Sequence, residues 1–220
     1  MNLLDSSVTF DQYVQAGQET LYMVLVSLGA GSLLGIPLGL ALVLTRPGAL
    51  RGNRVAYSVL NVLVNIVRSL PFVILMVAIV PFTRALVGTA IGTTAALVPL
   101  TIFIAPFIAR LLESAFLDIS PGIYEAAESM GASTWQTIRL FLLPEAKPSI
   151  ILALTTATVT LIGATAMAGT IGGGGIGDLA ISYGYQQFDS VVILITVIIL
   201  VIVVQGIQSL GSVLAKRARH

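Results

Sequence analysis

Residues 190–214 read SVVILITVIILVIVVQGIQSLGSVL, an apolar run without a single charged side chain. A helix of that length exceeds the ~20 residues that cross a hydrocarbon layer of ~30 Å. Four further runs approach or pass the same length, at about 21–44, 57–82, 91–112 and 149–170. The expected fold is therefore an all-α membrane protein with five transmembrane helices, arranged as a single membrane domain over 1–220.

Composition agrees. Of the 220 residues, 56% are hydrophobic and 10% charged, and the mean hydropathy is +0.99. A soluble domain carries about 25% charged residues, so this chain is too poor in charge to cover a water-facing surface. The net charge of +1 gives no footprint for nucleic acid. Cysteine is absent and the one histidine is His220, which leaves no histidine or thiolate set for a metal. The first 20 residues hold Asp5, Asp11 and Glu19 and no Lys or Arg. That is the opposite of a signal peptide's basic start, so the run 21–44 is expected to be retained as a span.

The basic residues set an orientation. Arg46, Arg51 and Arg54 follow the first run. Arg110, Arg139 and Lys147 lie at the end of the third or in the loop after it, and Lys216, Arg217 and Arg219 follow the fifth. All nine share one side if the N-terminus is outside. Arg84 alone falls outside and Arg68 lies within the second run, while Asp5, Asp11, Glu19, Asp178 and Asp189 occupy the outer segments. An odd number of spans then places the C-terminus in the cytoplasm. Gly31, Gly35 and Gly39 form a small-residue face for helix packing, and Pro37, Pro71, Pro99 and Pro106 suggest kinks.

The longest polar stretch, about 113–148, reads as a two-helix cytoplasmic element. Ser120 and Pro121 suit the start of a first helix, with Ile123, Ala126, Ala127 and Met130 on one face and Glu125 and Glu128 on another. Gly131 suits the turn. Ser133 to Gln136 fits a capping box for a second helix with Trp135, Ile138 and Leu142 on its apolar face, stopped by Pro144. Such a loop either packs on its own membrane helices or docks a partner.

Glu125-Ala126-Ala127, Gly131 after three more residues, and Phe141-Leu142-Leu143-Pro144 resemble the EAA loop of ABC importer permeases. Phe141 stands where Ile is more usual. The stretches Arg68-Ser69-Leu70-Pro71-Phe72, Ala105-Pro106-Phe107-Ile108-Ala109-Arg110 and Leu142-Leu143-Pro144-Glu145-Ala146 are most similar to the permeases of methionine importers. The resemblance implies a non-catalytic subunit of a multi-pass bacterial inner-membrane transporter, with two copies forming a pore for D- or L-methionine. It implies two cytoplasmic ATPase subunits that bind ATP and Mg and receive the loop through Glu125, Ala126, Ala127, Gly131, Leu143 and Pro144. It also implies an extracytoplasmic substrate-binding protein, periplasmic or lipid-anchored. This chain would then need no cofactor and no catalytic residue of its own.

No G-x-x-x-x-G-K-[ST] phosphate loop occurs. The run from Gly172 to Gly177 lacks its Lys and hydroxyl, and reads as a turned re-entry at the outer end of span four or simply as a loop. Asn61, Asn65 and Arg68 share one helical face, continued by Phe72. That face is either a polar wall of the translocation path or interhelical glue. The threonines of span four, among them Thr155, Thr156, Thr158, Thr160 and Thr165, can return their hydroxyls to the backbone. Met167 is the one long side chain between Gly163 and Thr170, and is either a pore gate or a packed core methionine. Arg110 and Glu113 read as a weak surface pair. The competing functions are a permease for another small amino acid and a secondary transporter. The latter usually shows repeats or several deep ionisable groups, and here only Arg68 lies clearly in mid-span. An intramembrane enzyme lacks its nucleophile and base.

Overall fold

The computed structural model describes residues 7–49 and 52–219. Asp5, Arg51 and His220 lie outside the described residues. The chain is helical throughout: α1 (Phe10–Thr45), α2 (Arg54–Ser69), α3 (Phe72–Ala78), α4 (Val80–Val87), α5 (Thr93–Leu117), α6 (Pro121–Ser129), α7 (Thr134–Gln136), α8 (Leu143–Gly169), α9 (Gly175–Leu179) and α10 (Ser190–Ala218). Two π-helical segments, Thr137–Leu142 and Ala180–Tyr185, join α7 to α8 and extend α9.

Among the described residues, four helices are long and apolar enough to cross a membrane: α1, α5, the continuous Thr134–Gly169 and α10. The run expected at 57–82 is not one straight helix. It breaks at Leu70–Pro71, where α2 and α3 diverge by 101°, and the bent pair is the fifth candidate. Pro71 has no N–H to continue the ladder and disfavours helical backbone at Leu70, which adopts φ −83° and ψ 127°. Phe72 therefore does not continue the face of Asn61, Asn65 and Arg68. It is buried across the break, edge-on to Phe103 with ring centroids 5.2 Å apart. Pro37, Pro99 and Pro106 lie inside continuous helices.

α1 packs along α5 through the glycine face. A Cβ on Gly35 would lie 2.5 Å from the Ala105 carbonyl oxygen, one on Gly39 would lie 2.9 Å from that of Ala109, and one on Gly31 would overlap Ile104. Lipid supplies no hydrophobic drive between helices, so backbone proximity of this kind does the work. Met23, Leu100, Ile104, Ile108, Leu112 and Leu161 fill the space between α1, α5 and α8. α10 crosses α8 closely at Gly211, where a Cβ would overlap Thr155.

The Gly172–Gly177 run is tightly turned, with Gly172, Gly174 and Gly175 at positive φ. α9 crosses the last turn of α8, where a Cβ on Gly177 would meet Ala166 and one on Gly169 would meet Asp178. It then runs antiparallel to the first turns of α1. The Gly175 and Ile176 amides donate to Glu19 Oε2 at 2.8 Å and Thr20 Oγ1 at 2.9 Å. Further along, Asp189 accepts from the Ser7 amide at 2.8 Å and hydroxyl at 2.7 Å, and caps α10 through the Val191 and Val192 amides. The bonds from Ser7, then those from Val192 and Val191, hold the Asp189 carboxyl below its ordinary range.

Candidate functional site: the loop and the polar ladder

The loop after α5 begins at Ser120, which holds the N-cap position of α6, although its hydroxyl accepts no capping bond. Pro121 takes the first helical position. α6 ends in a turn that Gly131 makes possible: its φ is +67°, a region where a side chain is strained. The Gly131 amide donates to the Glu128 carbonyl at 2.9 Å, and that of Ala132 to Ala127 at 3.1 Å. Ser133 and Gln136 form the expected capping box.

The second helix is not stopped by Pro144. It runs from α7 through the π segment into α8, and Pro144 sits in the first turn of α8. The helix absorbs the missing N–H of Pro144 by shifting to wider bonding just before it, as in Leu143 N–H to Ile138 C=O. The loop is thus one short helix hinged by Gly131 to a rigid extension of a long membrane helix.

Its side chains divide clearly. Ala127 is 0% exposed and packs inward, whereas Glu125, Ala126, Glu128 and Gly131 face out. Ile138 and Leu142 are buried, but Trp135 (63% exposed) and Met130 (65%) stand outside with Leu140. Leu143 and Pro144 are exposed beside them. The expected apolar face of the second helix is therefore split between the interior and the surface. Tyr124 donates to the Phe116 carbonyl at 3.1 Å, and burial pushes its phenol up, which keeps the donor protonated. Beside α6, a cleft of about 560 Å³ opens between Arg46, Tyr124, Glu125, Glu128 and the apolar Val43 and Leu142.

The second cluster joins α2 to α5 as an antiparallel ladder. Tyr57 donates to Glu113 Oε1 at 3.1 Å, and Arg110 Nη2 donates to Asn61 Oδ1 at 2.6 Å and Asn65 Oδ1 at 2.9 Å. Arg110 Nη1 completes an ion pair with Glu113. Arg68, one turn further along α2, lies over the Phe107 ring at 6.0 Å, one turn back along α5. Asn61 and Asn65 thus accept hydrogen bonds across the two helices. The pair expected to be a weak surface contact has a carboxylate that is 2% exposed, so Arg110 and Glu113 are a networked pair. Tyr57 went unread in the sequence, although its spacing of four from Asn61 was the available signal.

Removing one partner of a buried pair leaves an unsolvated charge and costs about 3–5 kcal/mol. Arg110→Met should lower the thermal unfolding temperature of the detergent-solubilised protein, and adding Glu113→Met should recover part of the loss. An unchanged midpoint in Arg110→Met would show the network to be energetically idle.

In α8, Thr155, Thr156, Thr158 and Thr165 return their hydroxyls to backbone carbonyls at 2.8–2.9 Å. Met167 is 49% exposed, not packed in the core, and shares its helix face with the exposed Gly163 and Thr156. Among the described residues no group of His, Cys, Asp and Glu could hold a metal.

Comparison with known proteins follows this geometry closely. Residues 31–219 match the family described as binding-protein-dependent transport system inner membrane component. The chain is 50% identical over 210 residues to a probable D-methionine transport system permease protein MetI of Vibrio cholerae, covering 96% of this chain and 93% of that one. It is 49% identical over 151 residues to D-methionine transport system permease protein MetI of Escherichia coli K12, covering 69% and 70%. In structure it resembles a chain of the MetNI methionine ABC transporter solved in an inward facing conformation, with 42% identity, TM-score 0.95, and coverage of 98% and 100%.

Proposed function

The chain belongs to the family of binding-protein-dependent transport system inner membrane components, and from that premise we propose that two copies of it form the methionine pathway of an ATP-driven importer. It is a multi-pass inner-membrane ABC permease without catalytic machinery of its own. The likeness to the MetNI permease over essentially the whole of both chains carries the reading. The bent α2–α3 pair serves as the fifth span of one membrane domain over 1–220, with the N-terminus outside and the C-terminus in the cytoplasm. The distribution of Arg46, Arg54, Arg139, Lys147, Lys216 and Arg217 supports that orientation. An extracytoplasmic binding protein delivers the solute.

The mechanism follows from the loop. α6 and the exposed Met130, Trp135 and Leu140 present a compact face that an ATPase pair can grip. α7 continues into α8 without a flexible linker, so motion of that face on ATP closure passes directly into a spanning helix. Glu125, Ala126 and Gly131 lie on the docking side. Ala127, Leu143 and Pro144 shape the element: Ala127 seats α6 on the π segment, and Pro144 sets the register at which α8 departs. Met167, exposed on α8, narrows the pathway between copies, and its unbranched thioether yields as solute passes.

Accumulation of labelled methionine in a strain lacking its own methionine importer tests the reading. Uptake is expected only when this chain is supplied with its ATPase and binding protein. The chain alone should neither transport nor hydrolyse ATP. Uptake by the chain without an ATPase would instead establish a secondary transporter, and accumulation of a different amino acid alone would reassign the solute.

A further inference from the structure

Among the described residues, Arg68 is a cation without a counter-ion. It lies fourteen residues into α2 from Arg54, about 21 Å along the helix, and rests on Phe107, which is about 21 Å from one end of α5 and 15 Å from the other. Arg68 thus stands in the last turn of α2, beside the break at Pro71, and its neighbour Phe107 places it about midway along α5. The ladder around it shows a contrast. Arg110 is saturated by Glu113, Asn61 and Asn65, whereas Arg68 has the ring of Phe107 and no hydrogen bond or ion pair among the described residues. The carbonyls freed by the break at Pro71 do not reach it either: its side chain is exposed, pointing away from the packed core.

The chain's own carboxylates do not pair with it among the described residues. The acidic residues are Asp5, Asp11, Glu19, Glu113, Asp118, Glu125, Glu128, Glu145, Asp178 and Asp189. In the spans, Asp11 stands in the first turn of α1, Glu19 of α1 accepts from the Gly175 amide, Glu145 stands in the first turn of α8, and Glu113 is buried against Arg110. Lipid phosphate lies at the membrane surface, about 15 Å from mid-span. An unpaired arginine at this depth costs several kcal/mol unless it faces a watered cavity or meets an anion. Phe107, 6.0 Å from the guanidinium carbon, takes none of its N–H groups by a hydrogen bond, and a free guanidinium fork can receive a carboxylate through two parallel bonds.

We propose that Arg68 is a carboxylate subsite on the translocation path, receiving the α-carboxylate of the amino acid as it crosses the bundle. The proposal rests on the reading of the chain as an amino-acid importer. The subsite would hold the end of the solute that all amino acids share, while Met167 and its neighbours meet the side chain.

Phenylglyoxal labelling of arginine, read by peptide mass in the permease–ATPase complex in lipid nanodiscs, tests it directly. Methionine at saturating concentration should slow modification of Arg68, and methioninamide, which has the same side chain and amine but a neutral carboxamide, should not. In proteoliposomes with the binding protein, Arg68→Met should lower the methionine accumulated per ATP hydrolysed by about tenfold or more, the loss of one charge-assisted contact. Arg68→Lys, keeping the charge, should recover part of it. Equal labelling with and without methionine, protection by the amide, or wild-type yield per ATP in Arg68→Met would each overturn the subsite. Accumulation of methionine without protection sinks the subsite and keeps the importer. Protection by another amino acid with no methionine uptake keeps the subsite and changes the solute.

Discussion

Gly131→Pro is expected to abolish methionine accumulation while the permease remains inserted in the membrane in normal amount. Gly131 holds φ at +67°, and proline fixes φ near −65°. The substitution also removes the amide that donates to Glu128 at 2.9 Å. α6 must therefore leave its position relative to α7, and the face proposed to meet the ATPases is lost. The spans are untouched, because Gly131 contributes nothing to their packing. A graded series separates backbone from bulk, since a Cβ at this position would meet no atom within 4 Å. Asn, which tolerates the left-handed region, should transport best among the substitutes. Ala should fall between, at a cost of about 1–2 kcal/mol in the turn. ATP hydrolysis and uptake measured together are decisive: hydrolysis without uptake is the expected signature of Gly131→Pro, and normal uptake by this variant would end the hinge argument.

Gly35→Leu should have the opposite signature, loss of the folded protein itself. A Cβ alone would stand 2.5 Å from the Ala105 carbonyl oxygen and 3.0 Å from Ile108 Cβ. Both are held by a continuous helix, so α1 must move off α5 along its length. Overpacking of this kind costs about 1–3 kcal/mol even where neighbours can shift, and here a backbone atom blocks the way. The expected result is little protein in the membrane and no monodisperse peak after solubilisation. Gly29→Leu provides the control within the same helix, because a Cβ there meets nothing within 4 Å. Equal yields of the two variants would remove the close α1–α5 contact from the account of stability.

The same contrast shows how the loop was legible in part. Gly131 and the Ser133–Gln136 box are local devices, so residue type and spacing were enough to place them. Ala126 and Ala127 were not distinguishable by sequence, being identical neighbours on a short helix. The fold turns one outward and buries the other. Pro144 reads as a stop in any soluble helix. It does not stop this one, because the preceding turn widens its hydrogen bonding to pass around the missing donor.

Greasiness, the Lys/Arg asymmetry and the small-residue spacing of Gly31, Gly35 and Gly39 are properties of one-dimensional pattern. They determined by themselves that this chain crosses a membrane and which face of α1 meets another helix. The EAA spacing added the family to which the chain belongs. Tertiary structure decided the matters that depend on two segments at once. It bent the second apolar run by 101° at Pro71, drew Glu113 out of water to hold Arg110, and left Arg68 with a ring but no counter-ion. Periodicity cannot report these, because the state of a charge depends on what stands opposite it, and α2 and α5 stand opposite only once the chain has folded.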